Sequence, residues 1–267
     1  MLPRWITLAT ALFIYAQAGA AQAEDWDDCK QGAATVALKG CTSWLAHEKD
    51  AGQRAIAFHQ RATVFELVGE YDRSLLDFNQ AIELSPFSAG WYTDRALLYF
   101  LKEDLDAAFA DADRAVSMQP DRAALQARAF IEYHKHDFAA AAADFARVLE
   151  LQPDDPDSAI HRYLARKRLG EEAAAGLKAD AERLTDRGFY AAAVNLFLGR
   201  ADIAALVAQD DAQFGCQTRY YAGAEMLIEN KPLEAEAWFR QAVERCGEAS
   251  ERWWFVAARA ELKGLAH

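Results

Sequence analysis

Residues 55–153 read AIAFHQRATVFELVGEYDRSLLDFNQAIELSP (Ala55–Pro86), FSAGWYTDRALLYFLKEDLDAAFADADRAVSMQP (Phe87–Pro120) and DRAALQARAFIEYHKHDFAAAAADFARVLELQP (Asp121–Pro153). One helix-turn-helix pattern is written here three times. Aligned on Pro86, Pro120 and Pro153, the intervals are 34 and 33 residues. The first copy carries Phe58, Arg61-Ala62, Phe65, Gly69-Glu70-Tyr71, Ser74, Phe78 and Ala81. The second carries Tyr92, Arg95-Ala96, Tyr99, Asp104-Leu105, Ala108, Ala112 and Ala115. The third carries Leu125, Arg128-Ala129, Asp137-Phe138, Ala141, Phe145 and Val148, its missing residue lost from the loop after Pro120.

This period and this order of bulky, small and aromatic residues resemble the tetratricopeptide repeat family. The packing reason is direct. Ala62, Ala96 and Ala129 on each first helix face Ser74, Ala108 and Ala141 on the second. Small side chains let the backbones approach, and the aromatics fill the space to the next pair. One pair cannot bury its apolar face alone, so pairs stack. The resemblance implies an all-α fold, a right-handed superhelical α-solenoid of antiparallel helix pairs, and the cysteines add staples at both ends.

Upstream, residues 1–23 read as a signal peptide: Arg4, an apolar run from Trp5 to Ala16, and Ala21-Gln22-Ala23 as the cleavage site. No cysteine follows the apolar run directly, so a soluble exported protein is expected, without a membrane anchor after cleavage and most consistent with the bacterial periplasm. The formal charge is −12, and loss of Arg4 makes the mature chain more acidic still, which argues against nucleic acid as a partner. The four cysteines pair locally as Cys29 with Cys41 and Cys216 with Cys246. Neither spacing is that of a zinc or Cys-x-x-Cys redox site, and export makes them disulfides. Each is expected to contribute roughly 3–4 kcal/mol. Residues 24–54 form a helical cap in which Val36, Leu38, Trp44 and Leu45 supply the apolar side.

After Pro153 the pattern fades. Residues 154–214 read as degenerate helical pairs: Ser158 to Leu169, Glu171 to Leu184, then two short helices at Phe189 to Leu198 and Asp202 to Ala208. Residues 215–267 return to the repeat spacing with Ala222-Gly223, Met226, Pro232, Ala235, Phe239 and Ala242, and close with a helix from Glu251 to Leu265. Asn230 is a possible cap before Pro232. In 188–265, Phe-Leu-Gly-Arg-Ala-Asp-Ile (197–203), Cys216 before Tyr220-Tyr221-Ala222-Gly223, and the closing helix look similar to envelope tetratricopeptide proteins such as NlpI-like adaptors. Phe189-Tyr190 stand where that group would carry Trp-Pro.

Two charges recur beyond the family pattern. Arg61, Arg95 and Arg128 each precede Asp77, Asp111 and Asp144 by sixteen residues, and the spacing suggests structural ion pairs, with solvated positions as the alternative. The groove positions implied by the family are His59, Thr63 and Glu66, then Thr93, Leu97 and Phe100, then Gln126, Phe130, Tyr133 and His134. Thr63, Asp94, Ala123 and Ala127 stand where a carboxylate clamp would need Lys, Asn and Arg, so no such clamp is expected. The remaining groove is neutral and partly aromatic. It either holds an apolar or extended peptide or is filled by the chain's own later helices.

No catalytic constellation emerges. His134-x-His136 lacks a third metal ligand at suitable spacing, and there is no phosphate loop or nucleophile elbow. The reading is a non-enzymatic scaffold or adaptor without cofactor or metal, binding other proteins or peptides in the cell envelope, with envelope or peptidoglycan-processing enzymes as partners. An accessory chaperone of a secretion or pilus system is the alternative.

Overall fold

The computed structural model describes residues 23–185, 188–209, 214–246 and 252–266. The signal peptide expected over residues 1–23 falls, up to residue 22, outside the described residues. Every regular element within them is helical, and the chain forms two compact units, through Trp91 and from Tyr92 onward.

The first unit contains α1 (23–31), α2 (Ala34–His47), α3 (Ala51–Leu67), α4 (Tyr71–Leu84) and the start of α5 (Ala89–Leu101). Cys29 and Cys41 bridge α1 to α2 with Cα atoms 4.5 Å apart. A Cβ at Gly40 would meet the Asp25 carbonyl and the Cys29 amide at 2.7 Å, so only glycine permits this approach beside the disulfide. The apolar side of the cap differs from the sequence expectation. Val36 is exposed, and Ala37, Gly40, Cys41 and Leu45 are the buried residues of α2. Leu45, Ala57, Phe58 and Ala81 form the core, with Trp26, Trp44 and Trp91 packed against it. In the α3–α4 pair, Ser74 donates its hydroxyl to the Ala62 carbonyl at 2.7 Å, both residues being fully buried.

The second unit continues with α6 (Leu105–Met118), α7 (Arg122–His134), α8 (Phe138–Leu151), α9 (Pro156–Arg168), α10 (Ala174–Ala181), α11 (Phe189–Phe197), α12 (Ile203–Val207), α13 (Gly215–Ile228), α14 (Pro232–Arg245) and α15 (Arg252–Leu265). Asp104, Asp121, Asp137, Asp155 and Asp202 cap five of these helices, each side chain accepting from a backbone N–H three residues on. Cys216 and Cys246 bridge α13 to the end of α14 across 5.8 Å between Cα atoms.

A turn rule explains how the pairs fold back. Gly69, Glu103, His136, Gly170, Gly199 and Asn230 all take positive φ just after a first helix. Beside each, the next N–H reaches back to a carbonyl five residues earlier, as Glu70 to Phe65 and Glu171 to Arg166 do at 2.8 and 3.0 Å. This closure satisfies carbonyls the helix end leaves over. The left-handed residues at 69, 103, 136 and 170 follow one another at 34, 33 and 34 residues, so α9–α10 is a fourth pair on the same ruler. Asn230 is therefore the left-handed terminator of α13; the N-cap of α14 is Lys231, whose side chain makes no cap bond.

Candidate functional site

The groove positions fare differently in the two units. In the first, His59 is half-buried and stacked on Trp91, ring centroids 5.4 Å apart, with Phe78 at 5.5 Å. Thr63 is exposed and donates to the His59 carbonyl at 3.1 Å, and Glu66 is half-buried. In the second unit, α15 lies over the inner helices. The Trp253 ring sits 4.4 Å from Phe100 and 4.6 Å from Phe130, and Trp254 lies 6.2 Å from Phe130. Phe100, Tyr133 and His134 are consequently buried. They belong to the core and offer no surface to a peptide. The chain's own last helix fills this part of the groove, the second of the two possibilities the sequence left open.

What α15 leaves open is a cavity of about 470 Å³. Thr93, Asp94 and Leu97 of α5 and Ala123, Gln126, Ala127 and Phe130 of α7 form one side. Asp157 of α9, Tyr190 of α11, Gln217 of α13 and Trp253 and Trp254 of α15 form the other. Asp157 is held by three neutral donors. Tyr190 donates its hydroxyl to Oδ2 at 2.8 Å, while the Gln217 amide and the Tyr221 hydroxyl donate to Oδ1 at 2.9 Å. At the edge, the Gln126 carbonyl accepts from Arg122 at 2.9 Å, and Arg122 also lies 3.5 Å from Asp155.

The His-x-His pair does not converge. His134 is buried, whereas His136 is exposed at a left-handed turn. Among the described residues, no group of three His, Cys, Asp or Glu is placed to hold a metal ion. Burial pushes His134 well below the ordinary histidine range, with the neighbouring His161 adding to the shift, and burial lowers His161 as well. His161 donates Nδ1–H to the Asp157 carbonyl at 2.8 Å, while its Nε2 and both ring nitrogens of His134 are buried without a partner.

No protein-family model matches the sequence, and no curated protein matches it. Among solved structures, a tetratricopeptide repeat protein from Parabacteroides merdae ATCC 43184 superposes with a TM-score of 0.64 at 16% identity, over 93% of this chain and 98% of its own. The fold is that of a tetratricopeptide repeat protein. PilW, a type IV pilus biogenesis factor, aligns with a TM-score of 0.51 at 14% identity over 93% of this chain and 98% of its own. Pseudomonas aeruginosa pilF aligns at 0.52 and 13% identity, over 80% and 100%. At such identities the likeness is one of fold.

Within the tetratricopeptide pairs the recurring charges meet two-pronged. Arg61 Nε lies 2.6 Å from Asp77, Arg95 Nε 2.6 Å from Asp111, and Arg128 Nε 2.7 Å from Asp144, each backed by a second guanidinium nitrogen. The three aspartates are buried, and each pair ties the two helices of one repeat. A fourth pair, Arg162 with Asp180, ties α9 to α10. Its spacing is eighteen residues instead of sixteen because the α9–α10 turn is longer, so the regular ruler passed over it. Sequence reasoning also missed Asp157, Tyr190 and Gln217 as cavity residues. Asp157 looks like an ordinary first-turn acid, and Gln217 is hidden beside a bridged cysteine. The one visible signal was the unexpected Phe189-Tyr190.

Proposed function

We propose that this protein is an exported, non-enzymatic tetratricopeptide adaptor that holds a segment of a partner protein in the cavity between α5, α7 and α15. The observation that carries this reading is the cavity itself. It lies on the first helices of the repeats, and its walls combine apolar and aromatic faces with a few fixed polar groups, the usual make-up of a recognition site. Two disulfides and the leader sequence support an oxidising, exported setting. Among the described residues no helix is long and apolar enough to cross a membrane. The likeness of residues 188–265 to NlpI-like adaptors favours partners among envelope and peptidoglycan-processing enzymes.

Ala123 is exposed and lines the cavity, so Ala123→Trp should obstruct it without entering the core. Affinity capture from bacterial envelope extract, with the oxidised wild type and Ala123→Trp side by side, tests the reading. A few folded envelope proteins captured by the wild type and lost with the variant are expected. Capture that survives the variant would move the site elsewhere and overturn the cavity assignment. The second reading, an accessory chaperone of pilus assembly, draws support from the likeness to PilW and from the apolar walls. It predicts weak binding of many denatured peptides in place of a few folded partners.

A further inference from the structure

We propose that the cavity selects a basic side chain, lysine or arginine, presented by an extended segment of the partner; this deepens the adaptor reading and rests on it. The argument begins at Asp157. Its carboxylate accepts from Tyr190, Gln217 and Tyr221. These neutral donors fix its orientation and leave its negative charge intact, so the carboxylate is preorganised for a cation. A structural ion pair would have used an Arg, as Asp77, Asp111 and Asp144 do in the same fold.

The wall beside it carries Trp253, Trp254 and Phe130. Indole faces are the best aromatic partners for a cation, and their apolar surroundings strengthen the attraction to a carboxylate. Asp94 adds a second acid, and none of the described lining residues is Lys or Arg. Arg122, at the edge, has its charge met by Asp155. An anionic group such as a C-terminal carboxylate would face two acids here. At about 470 Å³ the cavity falls within the size range of ligand pockets. A long aliphatic stem can lie along Leu97 and Ala127 while its charged head reaches Asp157. The chain's overall charge of −12 steers basic partners toward it.

The test uses the full oxidised chain and short peptides, acetylated and amidated at their ends, that share an Ala-Gly background and differ only at the centre: Arg, Lys, citrulline or Glu. Tryptophan fluorescence and calorimetry report binding. The Arg and Lys peptides should bind at least about tenfold more tightly than the citrulline and Glu peptides, and their affinity should fall as salt rises. Asp94→Asn and Asp157→Asn should each remove most of that preference, with thermal unfolding run in parallel to confirm the fold. The Arg against citrulline comparison in the wild type needs no variant, so a destabilised Asp157→Asn does not decide the matter. If citrulline binds as well as Arg and Ala123→Trp abolishes both, charge selection is overturned while the adaptor site stands. If no peptide binds, the basic-side-chain proposal is overturned, and the adaptor reading is judged separately by capture of folded partners.

Discussion

The α7–α8 pair and the α13–α14 pair solve the same packing problem with different chemistry. In α7–α8 the small residue is Ala129 and, sixteen residues on, Phe145 fills the facing space; in α13–α14 the same spacing gives Gly223 and Phe239. The residues just before them differ in kind. Arg128 and Asp144 form a buried two-pronged ion pair in the first case, whereas Ala222 and Trp238 occupy those places in the second. There the two helices are joined covalently through Cys216 and Cys246. A buried charge pair adds little net stability against an apolar substitute, but it penalises every misaligned register. A disulfide needs no register code from its neighbours. The terminal pair could therefore give up its charges and shrink its small residue to glycine, letting Phe239 press directly on the α13 backbone.

The largest effect should follow loss of the α13–α14 bridge. Closing a loop with a sequence separation of 30 residues corresponds to about 3–4 kcal/mol in the chain-entropy account. Cys216→Ser with Cys246→Ser should lower the unfolding free energy by that amount, read as a lower denaturant midpoint by circular dichroism. An unchanged midpoint would mean that packing at Phe239 alone holds the pair.

Next comes Asp144→Ala, which strands a guanidinium only 17% exposed. Because Asp113 lies 2.7 Å from Arg128 and remains, the loss should be about 2–3 kcal/mol, below the full cost of an uncompensated buried charge. Replacing both partners, Arg128→Met with Asp144→Leu, should recover most of it. If the double variant is as unstable as the single one, the pair supplies stability itself and not register alone. On the other side of the comparison, Gly223→Ala drives a Cβ to 2.6 Å from the Phe239 ring, which is fully buried. About 1–2 kcal/mol should be lost after the helix-propensity gain of alanine is set against the overlap. The matching change Ala129→Gly meets no clash but gives up a fully buried methyl as well as helix propensity, and should cost about 2 kcal/mol.

The repeats were legible because each uses several signals on one ruler, so no single irregular residue hides the pattern. The Cys pairs were legible from their even number and local spacing. What stayed hidden was non-local or non-standard. Glu103, His136 and Asn230 take left-handed turns without being glycine. Arg162 and Asp180 were shifted by a longer loop. Above all, the covering of Phe100 by Trp253 joins residues about 150 positions apart, and no period in a sequence reports such a contact. The same covering turned Phe100 and Tyr133 from surface candidates into core and produced the cavity from residues on six helices.

The last effect, and the one that sharpens the comparison most, concerns Glu132. Three residues after the small position, α3, α5 and α13 carry Phe65, Tyr99 and Met226; α7 carries an acid. Glu132 is buried beside Asp144, one carboxylate oxygen without a partner and the other 3.8 Å from Arg128. Burial and the Asp144 charge push its pKa up to about 7, with Arg128 opposing. A folded-state value raised above the unfolded one means the folded chain binds the extra proton. Its contribution to stability is thus fully present below about pH 4.5 and is lost as pH rises through 7. Glu132→Gln should accordingly stabilise the protein by about 1–2 kcal/mol at pH 8 and do almost nothing at pH 4.5, after discounting for residual solvent. Thermal unfolding of both proteins at the two pH values reads the difference. Equal shifts at both would mean that Glu132 is ionised throughout and that Arg128 serves it as fully as it serves Asp144. In that case the α7–α8 seam is a three-membered charge network, and the contrast with α13–α14 is wider than one ion pair against one disulfide.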